Sequence, residues 1–470
     1  MTDTALRTPS SSAVWAWIWA RRAALLLGAV AALGFGVTLY LCAPGYMAFD
    51  SGVQLEQARS FEFLDDHPVL MALVWHYTDR VLPGPIGILL LATGLSWAGL
   101  GGIFWALPGP LFWRALGILG VGFFPPVFSC FPTVMKDALM HGALLAGLAC
   151  IAAPTRRAFA LRSLSAFVLF LFAIGVRHNA AAATWPFLAL PFLRWLPIQK
   201  RWLRLLVASG IALGLAFGMT RLLDRALAPL SHQTEFWQYV PAFDLAGMSL
   251  QEEEVLVEPE TTVLTEGMGL EEIRTLFRVD YGAMLYYCIP FQGERCVHLF
   301  RQTLDGQELR QLSDNWLRAI WRHPGAYLAH RFDFARALFT VNRGPKELYY
   351  LEGAPHHPLA NDYPTKRRAV RVMAWLERHL KHVPYQPWIY ALIAVVLIPV
   401  SLFRYRRTEH VLPLLFALSA SSCLLSVMVG ASSTNYRYCV WTIAGAVLSL
   451  VATQLESSRE SSIGPREGAR

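Results

Sequence analysis

Ten apolar runs recur along the chain, most of them close to the ~20 residues a helix needs to cross a bilayer. They are Ala23 to Leu41, Pro85 to Leu107, Leu116 to Val134, Ala138 to Ala153, Leu164 to Val176 and Ala180 to Leu196, then Leu205 to Leu223, Trp388 to Phe403, Val411 to Gly430 and Tyr438 to Leu455. Read by hydropathy, they make about ten spanning helices. Pro125-Pro126, Pro132, Pro186 and Pro191 interrupt several runs and leave the count open by one. The first run is long and its outer end lacks a small-residue cleavage site, so it is expected to be a retained helix and not a signal peptide. Composition agrees: 55% of the 470 residues are hydrophobic and only 16% are charged, where a soluble chain carries about a quarter. The predicted fold is mainly α, a polytopic α-helical membrane protein with about ten transmembrane helices and one largely helical domain on the outer face.

A net charge of +8 invites a nucleic-acid reading, but the placement of the positives argues against that partner. With the N-terminus inside, the cytoplasmic segments hold Arg7, Arg21, Arg22, Arg114, Arg156, Arg157, Arg162, Arg194, Lys200, Arg201, Arg204, Arg404, Arg406 and Arg407, with Arg459, Arg466 and Arg470 in the tail. The short outer loops hold Arg59, Arg80, Lys136, Arg177 and Arg437. This bias places both termini inside and alternates through all ten helices. The expected location is a cytoplasmic membrane crossed many times, with the charged helix-end clusters described below on its extracytoplasmic face.

Four regions follow. Residues 1–223 form an N-terminal membrane module whose first outer loop is 44–84, and residues 224–385 form an outer domain near charge balance. Residues 386–456 form a C-terminal membrane module, and 457–470 a polar, disordered cytoplasmic tail. Within the outer domain, Leu312, Trp316, Ile320 and Tyr327 fall at helical spacing among charges. That domain is read equally as a lid, an acceptor site or a structural decoration.

Of seven cysteines, Cys42, Cys130, Cys150, Cys423 and Cys439 lie in or beside the spans and read as small packing residues. Cys288 and Cys296 flank a short Pro/Gly loop in the outer domain and are candidates for a disulfide in an oxidising compartment. No Cys/His spacing resembles a zinc site.

Charged groups at the ends of spans are costly and therefore informative. Four clusters sit at helix ends that open on one side. The first is Pro44 to Gly52, where Asp50 lies between aromatics beside Tyr46; desolvation is expected to raise its pKa and suit it to base work. Equally, Asp50 or Ser51 can cap the helix that follows. The second is Asp65-Asp66-His67-Pro68, in which Asp66 caps a helix or shares acid/base work with Asp50. Two carboxylate sites bracketing one loop also admit a divalent cation; no other cofactor is indicated. The third is Lys136-Asp137, either a self-neutralising pair or a phosphate contact steadied by the aspartate. The fourth is Arg177-His178-Asn179, joined by Asn435 to Tyr438 with Arg437. Its arginines are interfacial anchors or a clamp for a lipid-linked phosphate. No P-loop, dinucleotide fingerprint or nucleophile elbow is present.

The stretches Pro44 to Gln57, Asp65 to Pro68, Met135 to Asp137 and Arg177 to Asn179, with Trp321 to Pro324, Tyr327, His330 and Arg331 as a weaker match, resemble the GT-C class of membrane glycosyltransferases. The likeness is to poorly characterised bacterial members, distant from protein O-mannosyltransferases and aminoarabinose lipid A transferases. It implies a polyprenyl-phosphate sugar donor, a membrane lipid groove and an inverting transfer to an outer-face acceptor. Asp50 would then be the base, and Lys136, Arg177 and Arg437 the phosphate contacts. Asp50-Ser51 departs from the adjacent Asp-Glu pair of the O-mannosyltransferases, which puts the acceptor type in question. A transporter or flippase of a lipid-linked or anionic solute, and a non-catalytic envelope assembly protein, are the rival readings. Neither the sugar nor the oligomeric state is encoded legibly.

Overall fold

The computed structural model describes residues 11–64, 67–152, 159–232, 238–258, 264–265, 268–285, 289–291, 295–297, 299–301, 304–339, 358–364, 366–408 and 410–463. The chain is a polytopic α-helical membrane protein. Helix α1 (Ser11–Cys42) leads into a first loop carrying α2 (Phe49–Ser60), strand β1 (Phe63–Leu64) and α3 (Val69–Val81). The membrane bundle continues with α4 (Ile86–Ala106), α5 (Leu111–Gly122), α6 (Pro125–Phe128), α7 (Lys136–Ala152), α8 (Phe159–Val176), α9 (Ala180–Trp195) and α10 (Arg201–Leu227). Strand β2 (Ser231–His232) pairs in parallel with β1 and ties the first loop to the end of α10.

The segment between α10 and the last three helices, expected on the outer face, holds α11 (Tyr239–Glu252), α12 (Leu270–Leu276), the antiparallel pair β3 (Ile289–Phe291) and β4 (Arg295–Val297), α13 (Gly306–Arg322), α14 (Pro324–Phe339), α15 (Pro358–Asn361) and α16 (Arg367–Leu380). Helices α17 (Pro387–Thr408), α18 (Leu412–Gly430) and α19 (Val440–Ile463) complete the bundle.

Among the described residues, seven helices are long and apolar enough to cross a membrane: Arg21–Cys42, Ile86–Ala106, Phe159–Val176, Arg201–Leu230, Pro387–Thr408, Leu412–Gly430 and Tyr436–Ser457. The other three expected spans are shorter. Leu116 to Val134 is not one helix. It breaks after Gly122, because Pro125 and Pro126 lack the amide hydrogens an uninterrupted helix needs, and they begin the single turn of α6 instead. The chain then returns as irregular backbone through Thr133, where Tyr46 N–H donates to Pro132 O at 2.9 Å and Val134 N–H to Tyr46 O at 2.8 Å. Such backbone is tolerated at depth only when protein covers it, and Phe131, Thr133 and Val134 are buried. Helix α9 has 16 residues and carries Pro186 and Pro191 inside it, each of which removes one intrahelical hydrogen bond.

Helix α7 is the centre of the bundle, with nearly every residue after Lys136 buried. It meets α4 closely because Gly99 presents no side chain: a Cβ there would lie 2.6 Å from Ala146 N. That approach holds the N-terminal end of α7, where Lys136 and Asp137 sit, in the middle of the helix ends that form the site.

At the opposite ends of the helices, arginines take up the carbonyls that a helix C-terminus leaves open. Arg114 donates to Leu107 O at 3.1 Å, and Arg162 Nε to Cys150 O at 2.6 Å. Arg194 spans Ile151 O and Ala152 O at 2.6 and 3.0 Å, and Arg201 reaches Arg406 O in the last turn of α17. Two further arginines bind carbonyls away from helix ends: Arg404 donates to Thr453 O within α19 at 2.9 Å, and Arg204 to Ile198 O in the loop before α10 at 2.9 Å.

Candidate functional site

Helix α2 starts at Phe49, with Ala48 in extended backbone as its cap position. The capping is done by Ser51, whose Oγ accepts from Ala48 N–H at 3.0 Å and donates to Val134 O at 2.7 Å. Of the two residues able to cap this helix, Ser51 takes the task, and Asp50 turns its carboxylate toward α19. There Arg437 NH2 donates to Asp50 Oδ2 at 2.9 Å.

Arg437 sits in a short 3-10 turn, Tyr436–Cys439, that opens α19, and Asn435 Oδ1 accepts from its amide at 3.1 Å. Its Nε is 3.8 Å from Asp137 Oδ2, and its NH1 donates to the thioether of Met135 at 3.6 Å. Asp137 also pairs with Arg177 NH1 at 2.6 Å. Arg177 in turn donates from Nε to Asn179 Oδ1 at 2.9 Å. The ring of Tyr438 lies against both guanidiniums, 4.7 Å from Arg177 and 5.5 Å from Arg437, where its π-face adds cation–π attraction. Lys136 lies beside this chain of ion pairs, with Nζ 2.9 Å from His67 Nδ1.

Several expectations change. Lys136 and Asp137 do not neutralise each other; the aspartate bridges two arginines from distant helices while the lysine faces His67. Nor is the Asp50 pKa raised. Burial does push it up, but the charges of Arg437, His67 and Lys136 outweigh burial and hold it well below the usual carboxylate range. Lys136, ahead of the apolar run that begins at Ala138, is lowered to about 8, by burial first and by the repulsion of Arg177 and Arg437, against the pull of Asp50 and Asp137. His178 stands apart from the cluster, with Nδ1 3.7 Å from Asp224 Oδ1. It lines a cavity of about 220 Å³ with His67, Thr220, Asp224 and Ser231. Tyr46 is buried and contributes backbone pairing to the irregular segment after α6.

Asp66 and Cys288 lie outside the described residues, so a role for Asp66 and a Cys288–Cys296 disulfide have no geometry here; Cys296 is in β4 opposite Pro290. The five cysteines of the membrane helices are free. Among the described residues, no three His, Cys, Asp or Glu side chains are grouped to hold a metal ion.

Motif reading singled out His330 and Arg331 but missed the buried acid that both of them meet. Asp244 of α11 is fully buried, meets Trp316 Nε1 at 2.9 Å and His330 Nε2 at 3.1 Å, and forms an ion pair with Arg331 NH2 at 2.7 Å. The available signal was a lone acid between Phe243 and Leu245 in an apolar helix, the same signal that singled out Asp50.

No family model matches the chain, and no curated protein does. Among solved structures, the chain is similar to the crystal structure of ArnT from Cupriavidus metallidurans bound to undecaprenyl phosphate. The likeness is 13% in identity, covers 93% of this chain and 78% of that one, and has a TM-score of 0.28. A superposition that loose decides nothing about the site.

Proposed function

We propose that the chain is a membrane glycosyltransferase that moves a sugar from a polyprenyl-phosphate donor to an acceptor hydroxyl at the outer face of a bacterial cytoplasmic membrane. The observation that carries the reading is the buried charge cluster. Lys136, Arg177 and Arg437 bring three positive charges against the two of Asp50 and Asp137, all at neighbouring helix ends. A buried surplus of one positive charge is costly without an anion, and planar guanidiniums suit phosphate oxygens.

The two carboxylates are not equivalent. The Asp50 side chain is 24% exposed and that of Asp137 is 1%, so Asp50 is the one an incoming hydroxyl can reach. In an inverting transfer Asp50 takes the acceptor proton as the oxygen attacks C1, and the C1–O bond to phosphate breaks. The departing phosphate carries away the electron pair and is stabilised by Lys136, Arg177 and Arg437. Phosphate is already a good leaving group, so no protein acid is required.

Asp50 paired to Arg437 is a weak base. Arg437 NH1 rests on a thioether, a poor acceptor, so an arriving phosphate offers the guanidinium a better partner and loosens its hold on Asp50. Donor binding then raises the basicity of Asp50 when it is needed. The test is sugar transfer from a polyprenyl-phosphate donor in isolated membranes. Loss of transfer in Asp50→Asn with intact insertion supports the reading, and wild-type-like transfer by that variant overturns it.

A further inference from the structure

We infer that Asp244 and Arg331 are positioning residues for Arg437: the outer segment holds the cationic end of α19 in register by gripping the turn between α18 and α19. The part of this inference that concerns phosphate rests on the proposed function, whereas the grip itself rests on geometry alone.

Arg331 of α14 has two sets of partners on two different bodies. One is Asp244 of α11, 2.7 Å from its NH2. The other is the C-terminal end of α18, where NH1 donates to Ala431 O at 2.6 Å and to Met428 O at 3.4 Å. From Ala431 onward every residue up to Arg437 is held. Ser432 O accepts from Gly282 N–H at 2.7 Å, Ser433 bridges to Tyr281, and Thr434 N–H donates to Asp280 O at 2.9 Å. Asn435 caps the Arg437 amide, and Tyr436 Oη donates to Tyr385 O at 3.0 Å. No unanchored stretch separates the Arg331 contact from the guanidinium that meets Asp50.

The chemistry of the grip argues for register over stability. A buried ion pair with its desolvation cost is often no more stable than apolar residues of the same volume, and its best attested use is to fix an arrangement. Here Asp244 and His330 are both within 2% of complete burial, and Phe243, Phe277 and Phe334 could have packed the same space without charge. Gly282 gives a second, independent handle. A Cβ at Gly282 would lie 2.3 Å from Ser432 O, so the turn and the outer segment touch backbone to backbone.

The experiment uses the full-length purified chain in lipid nanodiscs, with hydrogen exchange of the 432–437 amides and binding of a short-chain polyprenyl phosphate read side by side. Arg331→Gln is expected to speed exchange at 432–437 by about tenfold or more, to weaken phosphate binding by a similar factor, and to leave the α4 and α7 amides unchanged. Arg331→Lys, which keeps a charge for Asp244, is expected to recover part of both effects. Unchanged exchange at 432–437 overturns the inference, and so does a loosened turn with unchanged phosphate affinity. If Arg331→Gln loosens the whole outer segment, Gly282→Ala decides, since its Cβ presses on Ser432 O and the Phe243 ring and shifts the turn without removing any charge of the Asp244 cluster. Weaker phosphate binding upholds the inference, and wild-type affinity overturns it. If the wild-type protein binds no polyprenyl phosphate, the proposed function falls, while the exchange measurement still decides whether the outer segment holds Arg437.

Discussion

Arg437 reaches back across 387 positions of the chain to place its NH2 2.9 Å from Oδ2 of Asp50. The pair joins the loop after the first helix to the start of the last helix, so the site exists only when the two ends of the membrane bundle have met.

Removing the charge of Asp50 separates chemistry from binding. Asp50→Asn loses the base and leaves the cluster one charge more positive. Transfer is expected to drop by about 10²–10⁴ in kcat, with KM for the lipid-phosphate donor unchanged or lower. Steady-state kinetics in membranes check this. A raised KM with kcat retained would mean that Asp50 serves only to hold Arg437.

Asp137 is the structural keystone of the cluster. Asp137→Leu strands Arg177 in a buried site, while Arg437 keeps Asp50, and is expected to cost about 3 kcal/mol or more, the usual penalty for breaking a buried pair. Adding Arg177→Met removes the stranded charge. The double variant is therefore expected to melt above the single Asp137→Leu variant, and a thermodynamic cycle over the four proteins gives the coupling. Additive losses would show that the two residues do not act as a pair.

Lys136 sets a pH limit. With its pKa near 8 the ammonium is charged below that value and neutral above it, so donor affinity is expected to fall as pH rises through about 8. The limb belongs to the free protein and should show in kcat/KM. Lys136→Arg keeps its charge throughout and is expected to abolish the limb; a limb that survives in that variant assigns the titration elsewhere.

On the opposite face, Arg194→Ala exposes the carbonyls of Ile151 and Ala152 at the end of α7. The expected loss is about 1–3 kcal/mol of stability, read as a lower Tm in detergent, with donor binding unaffected. A variant that melts like the wild type would make these bonds dispensable.

The helices were legible because apolar length is written locally: α4, α8, α10, α17 and α18 all lie where their runs predict. The misreading of Leu116 to Val134 as one span came from counting hydropathy across Pro125-Pro126, where the missing amide hydrogens mattered more than the apolar side chains. Asp50, Lys136, Arg177 and Arg437 stood out because charges at helix ends are rare in such a chain. Their partners did not. That Asp137 bridges Arg177 and Arg437 depends on three helices meeting, and nothing in the local spacing of any one of them encodes it. For the same reason the direction of the Asp50 pKa came out reversed: burial can be read from neighbours in sequence, whereas the opposing guanidinium arrives from the far end of the chain. Asp244 was passed over because its partners, Trp316, His330 and Arg331, lie more than 70 positions away.

The arginine caps at the far ends of the helices bear on how the bundle assembles. Arg194 of α9 completes α7, and Arg201 of α10 reaches an open carbonyl at the end of α17. A hairpin threaded upside down would leave each guanidinium a bilayer thickness, about 30 Å, from the carbonyls it serves. The mis-threaded chain would carry open helix ends in a medium with no water to close them. These side chains thus proofread whether neighbouring helices inserted the right way round.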